Sequence, residues 1–127
     1  MTQARETDMG ERLFEEIGLR LLQDPEVTEG TGFGTRPGLR VGTKIFAMLG
    51  RGGELIVKLP SDRVDQLVAS GIGARFEPRR DGRLMREWAT IPVRTRREWS
   101  RLVDEALRFV RSTPGKASSR AQGRRRS

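Results

Sequence analysis

The chain has 127 residues, 35% hydrophobic and 33% charged, with a formal net charge of +8. That length suits one domain around a single modest core. Cysteine, histidine and tyrosine are absent, which excludes disulfide frameworks, zinc–thiolate sites and iron–sulfur clusters and removes the commonest catalytic bases and activated nucleophiles.

Residues 1–8 are polar and read as a flexible N-terminus with no signal-like pattern. Asp8 and Glu11 have capping-box spacing. Leu13, Phe14, Ile17, Leu21 and Leu22 then recur at helical period to about Gln23. Asp24-Pro25 ends this first helix, because the residue before proline avoids the α region. Residues 27–35 (VTEGTGFGT) read as an irregular strand, and Pro37-Gly38 as a turn. Leu39 and Val41 alternate with Arg40, and Gly42-Thr43 permits a tight turn into a strand over 44–49.

Gly50–Gly53 reads as a four-residue connection to the next strand, 54–59. Pairing Leu49 with Glu54 would place Phe46, Met48, Leu55 and Val57 on the core face. Ile45, Ala47, Leu49 and Ile56 would then lie opposite, beside Lys58. A slip of one residue would exchange the faces.

Pro60-Ser61 opens a second helix, with Ser61 as N-cap, Val64, Leu67 and Val68 as its stripe and Gly71 at C′. Residues 74–78 and 86–93 read as two strands around an Asp81-Gly82 hairpin. Thr95 and Glu98 form a capping box before a last helix carrying Trp99, Leu102, Val103, Ala106, Phe109 and Val110. Residues 112–127 hold five basic residues and no acidic ones, and read as a disordered tail after a single domain over 9–111. Without the tail the balance is 20 basic against 17 acidic residues. The order α-βββ-α-ββ-α predicts an α+β fold: an antiparallel sheet of about five strands, with a further strand at 27–35 open, and three helices mostly on one face. No run is apolar enough to span a bilayer, and a cytoplasmic location is expected.

The glycine-rich stretches fail as nucleotide loops. Gly42-Thr43-Lys44 has the wrong order for a P-loop and leads into a strand, and Thr35 stands where G-x-G-x-x-G needs its third glycine. Asp62 and Asp65 suit a helix N-terminus. Asp104 and Glu105 lie one turn from Arg108 and Arg101, at ion-pair spacing. No acidic cluster has metal-loop spacing. No cofactor, metal or enzymatic activity is therefore expected.

The informative cations are arginines. Arg75, Arg79, Arg80, Arg83, Arg86, Arg94, Arg96, Arg97 and Arg101 face only Glu77, Asp81, Glu87 and Glu98 between 75 and 101. Guanidinium grips phosphate in a bidentate fork. The hairpin group and the helix-start group make one phosphate footprint only if they converge; otherwise they form a solvated, ion-paired surface. Arg124, Arg125 and Arg126 in the tail add charge for any polyanion. Trp99 reads as core, while Trp88 is either a base-stacking platform or a core anchor. Two partners follow: DNA, held through phosphates and not through base reading, or a second copy of the chain on the Ile45, Ala47, Leu49 and Ile56 face.

GLRVGTKIFAML, ELIVKLP, GRLMREWATIPV and the Trp-led EWSRLVDEALRFV resemble the MmcQ/YjbR-like proteins, over about residues 10–111. They also look like the related N-terminal domain of the TfoX competence regulators. The most specific pieces are Lys44 and Phe46, then Lys58, then Met85 with Trp88. The resemblance implies a secretion-chaperone-like α+β fold and a DNA-binding or transcription-related role.

Overall fold

The computed structural model describes residues 2–30, 37–76 and 85–112. Three α-helices and one six-stranded sheet occupy them. Helix α1 spans Thr2–Leu21, followed by strands β1 (Val27–Glu29), β2 (Gly38–Val41), β3 (Lys44–Leu49) and β4 (Leu55–Lys58). Helix α2 (Ser61–Ala69) precedes β5 (Ala74–Phe76) and β6 (Met85–Ile91). A 3₁₀ segment, Val93–Glu98, leads into α3 (Trp99–Ser112). The spatial order is β1-β2-β3-β4-β6-β5, and every neighbouring pair is antiparallel. The α+β expectation is met, with β1 as the sixth strand.

The register corrects the face assignment. Gly50 N–H donates to Glu54 O (2.8 Å) and Gly53 N–H to Gly50 O (3.1 Å). The loop is therefore three residues, 51–53, closed by Gly53 at φ 86°, a left-handed position that glycine adopts without strain and that suits a three-residue hairpin. Leu49 then faces Leu55, not Glu54, and Ala47 faces Val57. Ala47 and Leu49 join Leu55, Val57, Ala89 and Ile91 in the core, while Met48 and Ile56 share the other face. Phe46 is core all the same. The register shifts between Leu39 and Arg40, so that Leu39 faces Ala47 while Arg40 faces Ile45. Phe46 is the extra residue of this bulge and is fully buried.

All three helices pack on the core face. α3 presents Trp99, Leu102, Val103, Ala106, Leu107 and Val110 to β2, β3 and β4. α2 covers β5 and β6 with Val64 and Leu67. α1 brings Phe14, Ile17 and Leu21 into the same cluster. Its glycine at position 10 is a close-packing point: a Cβ there would come within 1.9 Å of the Gly53 carbonyl oxygen. Thr7 Oγ1 donates to Gly52 O (3.1 Å), so α1 is seated on the β3–β4 loop.

Local signals at three helix starts are reassigned. α1 begins at Thr2, so residues 2–8 are helical and Asp8 is interior to the helix. Pro60, with φ −56° and ψ 148°, takes the N-cap position of α2, leaving Ser61 as the first helical residue without a side-chain cap bond. Thr95 does not cap α3. Its Oγ1 donates to the carbonyls of Ile72 (2.8 Å) and Pro92 (3.1 Å), inside the 3₁₀ lead-in. Gly71 does end α2 as expected. The Gly71 N–H reaches Val68 O and the Ile72 N–H reaches Leu67 O, the bond pair of a Schellman motif.

Candidate nucleic-acid interface

The two arginine groups part company. Arg86 is exposed near the start of β6, two positions before Trp88, where the β5–β6 register shifts. Arg94, Arg96, Arg97 and Arg101 are exposed beyond the other end of β6, on the 3₁₀ segment and the first turn of α3. The seven residues of β6 separate the two groups by about 20 Å. Among the described residues they do not form one footprint. Arg79, Arg80, Arg83, Arg124, Arg125 and Arg126 lie outside the described residues.

Within the 94–101 group, one arginine is neutralised by a described residue. Arg101 pairs with Glu98. Arg94 Nη1 donates to Gly71 O (3.3 Å) and Arg96 Nη1 to Val93 O (3.2 Å), both uncharged carbonyls. Arg97 has no hydrogen-bond or ion-pair partner among the described residues. Among the described residues no carboxylate pairs with these three guanidinium groups, which lie on about one and a half turns of chain.

The acidic residues of α3 are used elsewhere. Asp104 pairs with Arg20 of α1 (3.2 Å), whose Nη2 also donates to Ser100 Oγ (2.9 Å). Glu105 receives two bonds from Arg63 of α2, 2.9 and 3.2 Å long. The expected in-helix partners, Arg108 and Arg101, are displaced because α1 and α2 bring guanidinium groups alongside α3, and a bidentate fork outcompetes a one-turn neighbour. Arg75 pairs with Asp65, and Arg111 pairs with Asp24 and lies 3.3 Å from Glu26. Asp24 also accepts from the Glu26 backbone N–H (3.0 Å). That bond first, and Arg111 second, hold the Asp24 carboxyl below its ordinary value, while Arg111 is raised in turn. An open groove of about 330 Å³ lies between Pro60, Arg63, Glu105, Arg108, Phe109 and Ser112. Its central pair, Arg63 and Glu105, is already mutually satisfied.

The helix-free face holds the pairing that sequence reasoning missed. Lys58 and Trp88 are cross-strand partners. Lys58 Nζ lies 5.7 Å from the centroid of the indole and 3.9 Å from Glu87 Oε1. Trp88 is half-buried and does not belong to the core cluster, whereas Trp99 is fully buried and donates from Nε1 to Pro92 O. Arg40, also on this face, donates from Nε to Gly30 O (3.1 Å). The other resemblance positions divide: Phe46 is structural, Lys44 is half-buried at the start of β3, and Met85 opens β6. The correct β4–β6 register was the signal needed to put Lys58 against Trp88. The apolar face expected for self-association also changes character. Ala47 and Leu49 are core, Ile56 is 2% exposed, and Ile45 is half-buried.

Among the described residues, no helix is long and apolar enough to cross a membrane. Nor do three or more acidic side chains gather there as around a metal ion. Fold and surface together define a small α+β domain whose helices cover one face of an antiparallel sheet and whose other face carries cations and one indole. The YjbR family model matches residues 22–109, and the chain belongs to the YjbR family. No curated protein and no solved structure matches it.

Proposed function

We propose that the protein is a small non-enzymatic DNA-binding module that holds duplex DNA through arginine–phosphate contacts. The supporting observation is the 94–101 surface, where Arg94, Arg96 and Arg97 are exposed and meet no carboxylate among the described residues. Phosphate contacts fix position without reading sequence, and no element among the described residues resembles a recognition helix set for a groove. Three such contacts give a slope of log K against log salt of about −2.7.

The test is a salt titration of labelled duplex DNA by the full chain, followed by fluorescence anisotropy between about 50 and 200 mM salt. Arg94→Ala with Arg97→Ala should weaken binding evenly across unrelated sequences and flatten the slope by about 1.8. Substituting Arg124, Arg125 and Arg126 together measures what the tail contributes. Absence of binding at the lowest salt would sink the proposal.

A further inference from the structure

We infer that the helix-free sheet face at Lys58, Arg86 and Trp88 is a separate site for single-stranded nucleic acid, with a base stacked on the Trp88 indole. This rests on the proposed nucleic-acid role and assigns a second surface and a second strand state to it.

The chemistry of the face selects the ligand. Register places Arg40 and Lys58 on it, and the exposed Arg86 stands two positions before Trp88. Among the described residues, the carboxylate paired with Lys58 is Glu87, at 3.9 Å from Nζ. Arg86 is exposed and has no partner among the described residues. It precedes Trp88 by two positions, at most about 6.7 Å along the strand. A base lying on the indole would therefore have its phosphate within reach of the guanidinium.

Lys58 is equally poised. Its contact with the ring is near the outer limit for a cation over an aromatic face, and its pair with Glu87 is near the limit for an ion pair. Neither contact holds it firmly, so the ammonium can turn from ring to phosphate as a base arrives. Trp88 adds the remaining element. Its indole nitrogen has no hydrogen-bond acceptor among the described residues, and its ring stands outside the core.

Aromatic rings beside cations on a surface hold unpaired bases with little sequence preference. A duplex keeps its bases stacked internally and cannot offer one to the ring. The 94–101 arginines, with no aromatic residue exposed among them, offer only phosphate contacts. The two surfaces thus separate two forms of nucleic acid.

The experiment uses the full chain, a single-stranded oligothymidylate of about a dozen nucleotides and a duplex of equal length. Binding is read by anisotropy and by tryptophan emission. Trp99 is fully buried, so emission changes report on Trp88. The oligothymidylate should quench emission. Trp88→Ala should weaken its binding at least about five-fold and leave duplex binding unchanged, while Trp88→Phe should retain most of the affinity. Lys58→Ala and Arg86→Ala, which need no aromatic replaced, should each flatten the single-strand salt slope by about 0.7. If the oligothymidylate binds without quenching and Trp88→Ala binds as the wild type does, this site is overturned and the duplex proposal stands. If Arg94→Ala with Arg97→Ala abolishes single-strand binding while Lys58→Ala and Arg86→Ala do not affect it, the site is likewise overturned. If neither nucleic acid binds at low salt, both proposals fall.

Discussion

Asp24 ties the turn after α1 to the last turn of α3 through the Glu26 N–H and Arg111. Because its carboxyl titrates below the ordinary value of 3.8 when folded, the unfolded chain takes up the proton first. Stability from this group is therefore complete above 3.8 and is lost as pH falls through the folded value. Asp24→Asn should lower the melting temperature near neutrality, and the gap to the wild type should close in strong acid. Melting curves of both proteins across the acid range decide it; a gap independent of pH would show that the carboxylate charge is not involved. Charge partners of this kind were hardly legible in sequence. Arg111 and Asp24 are 87 positions apart, and Glu105 chose Arg63 over Arg101 because of helix packing. Trp88 was legible as a candidate but not as exposed or buried, since that depended on strand register.

At the level of elements, hydrophobic period was enough to find the helices and the strands. It was not enough to set the β3–β4 register, because a loop of glycines can close in three residues or four, and one residue exchanges the faces. Gly53 settled the matter by taking the left-handed position. The same loop supports a prediction for α1. In an unencumbered helix interior, alanine in place of glycine gains about 1 kcal/mol. At Gly10 the new Cβ would meet the Gly53 carbonyl oxygen at 1.9 Å, backbone that cannot swing aside as a side chain would. Overpacking of that sort costs about 1–3 kcal/mol, so Gly10→Ala should be destabilising on balance. The urea midpoint would fall; a rise would mean that α1 does not rest on the loop. Helix starts were less legible than helix bodies. Proline at the N-cap position of α2 and the 3₁₀ lead-in to α3 both replace the caps expected at Ser61 and Thr95.

At the scale of the whole molecule, charge on α1 bears on the arginine surface. Glu11, Glu15 and Glu16 of α1 have no ion-pair partner among the described residues, and α1 packs beside the arginine-bearing 3₁₀ segment. This acidic flank opposes any polyanion that approaches Arg94, Arg96 and Arg97. Replacing the three glutamates with glutamine should tighten duplex binding at low salt. The gain should shrink as added salt cuts the Debye length below about 10 Å, which anisotropy at two salt levels would reveal. The sheet has a consequence of a different kind. Its outer strands, β1 and β5, are only three residues long. Glu29 and Arg75 place a charge on each of them. Fibril growth begins where a long, flat, uncharged edge lets another chain add a strand. Among the described residues neither border of this sheet offers that template, so concentrated stocks should resist amyloid-like assembly despite a core rich in β-branched residues.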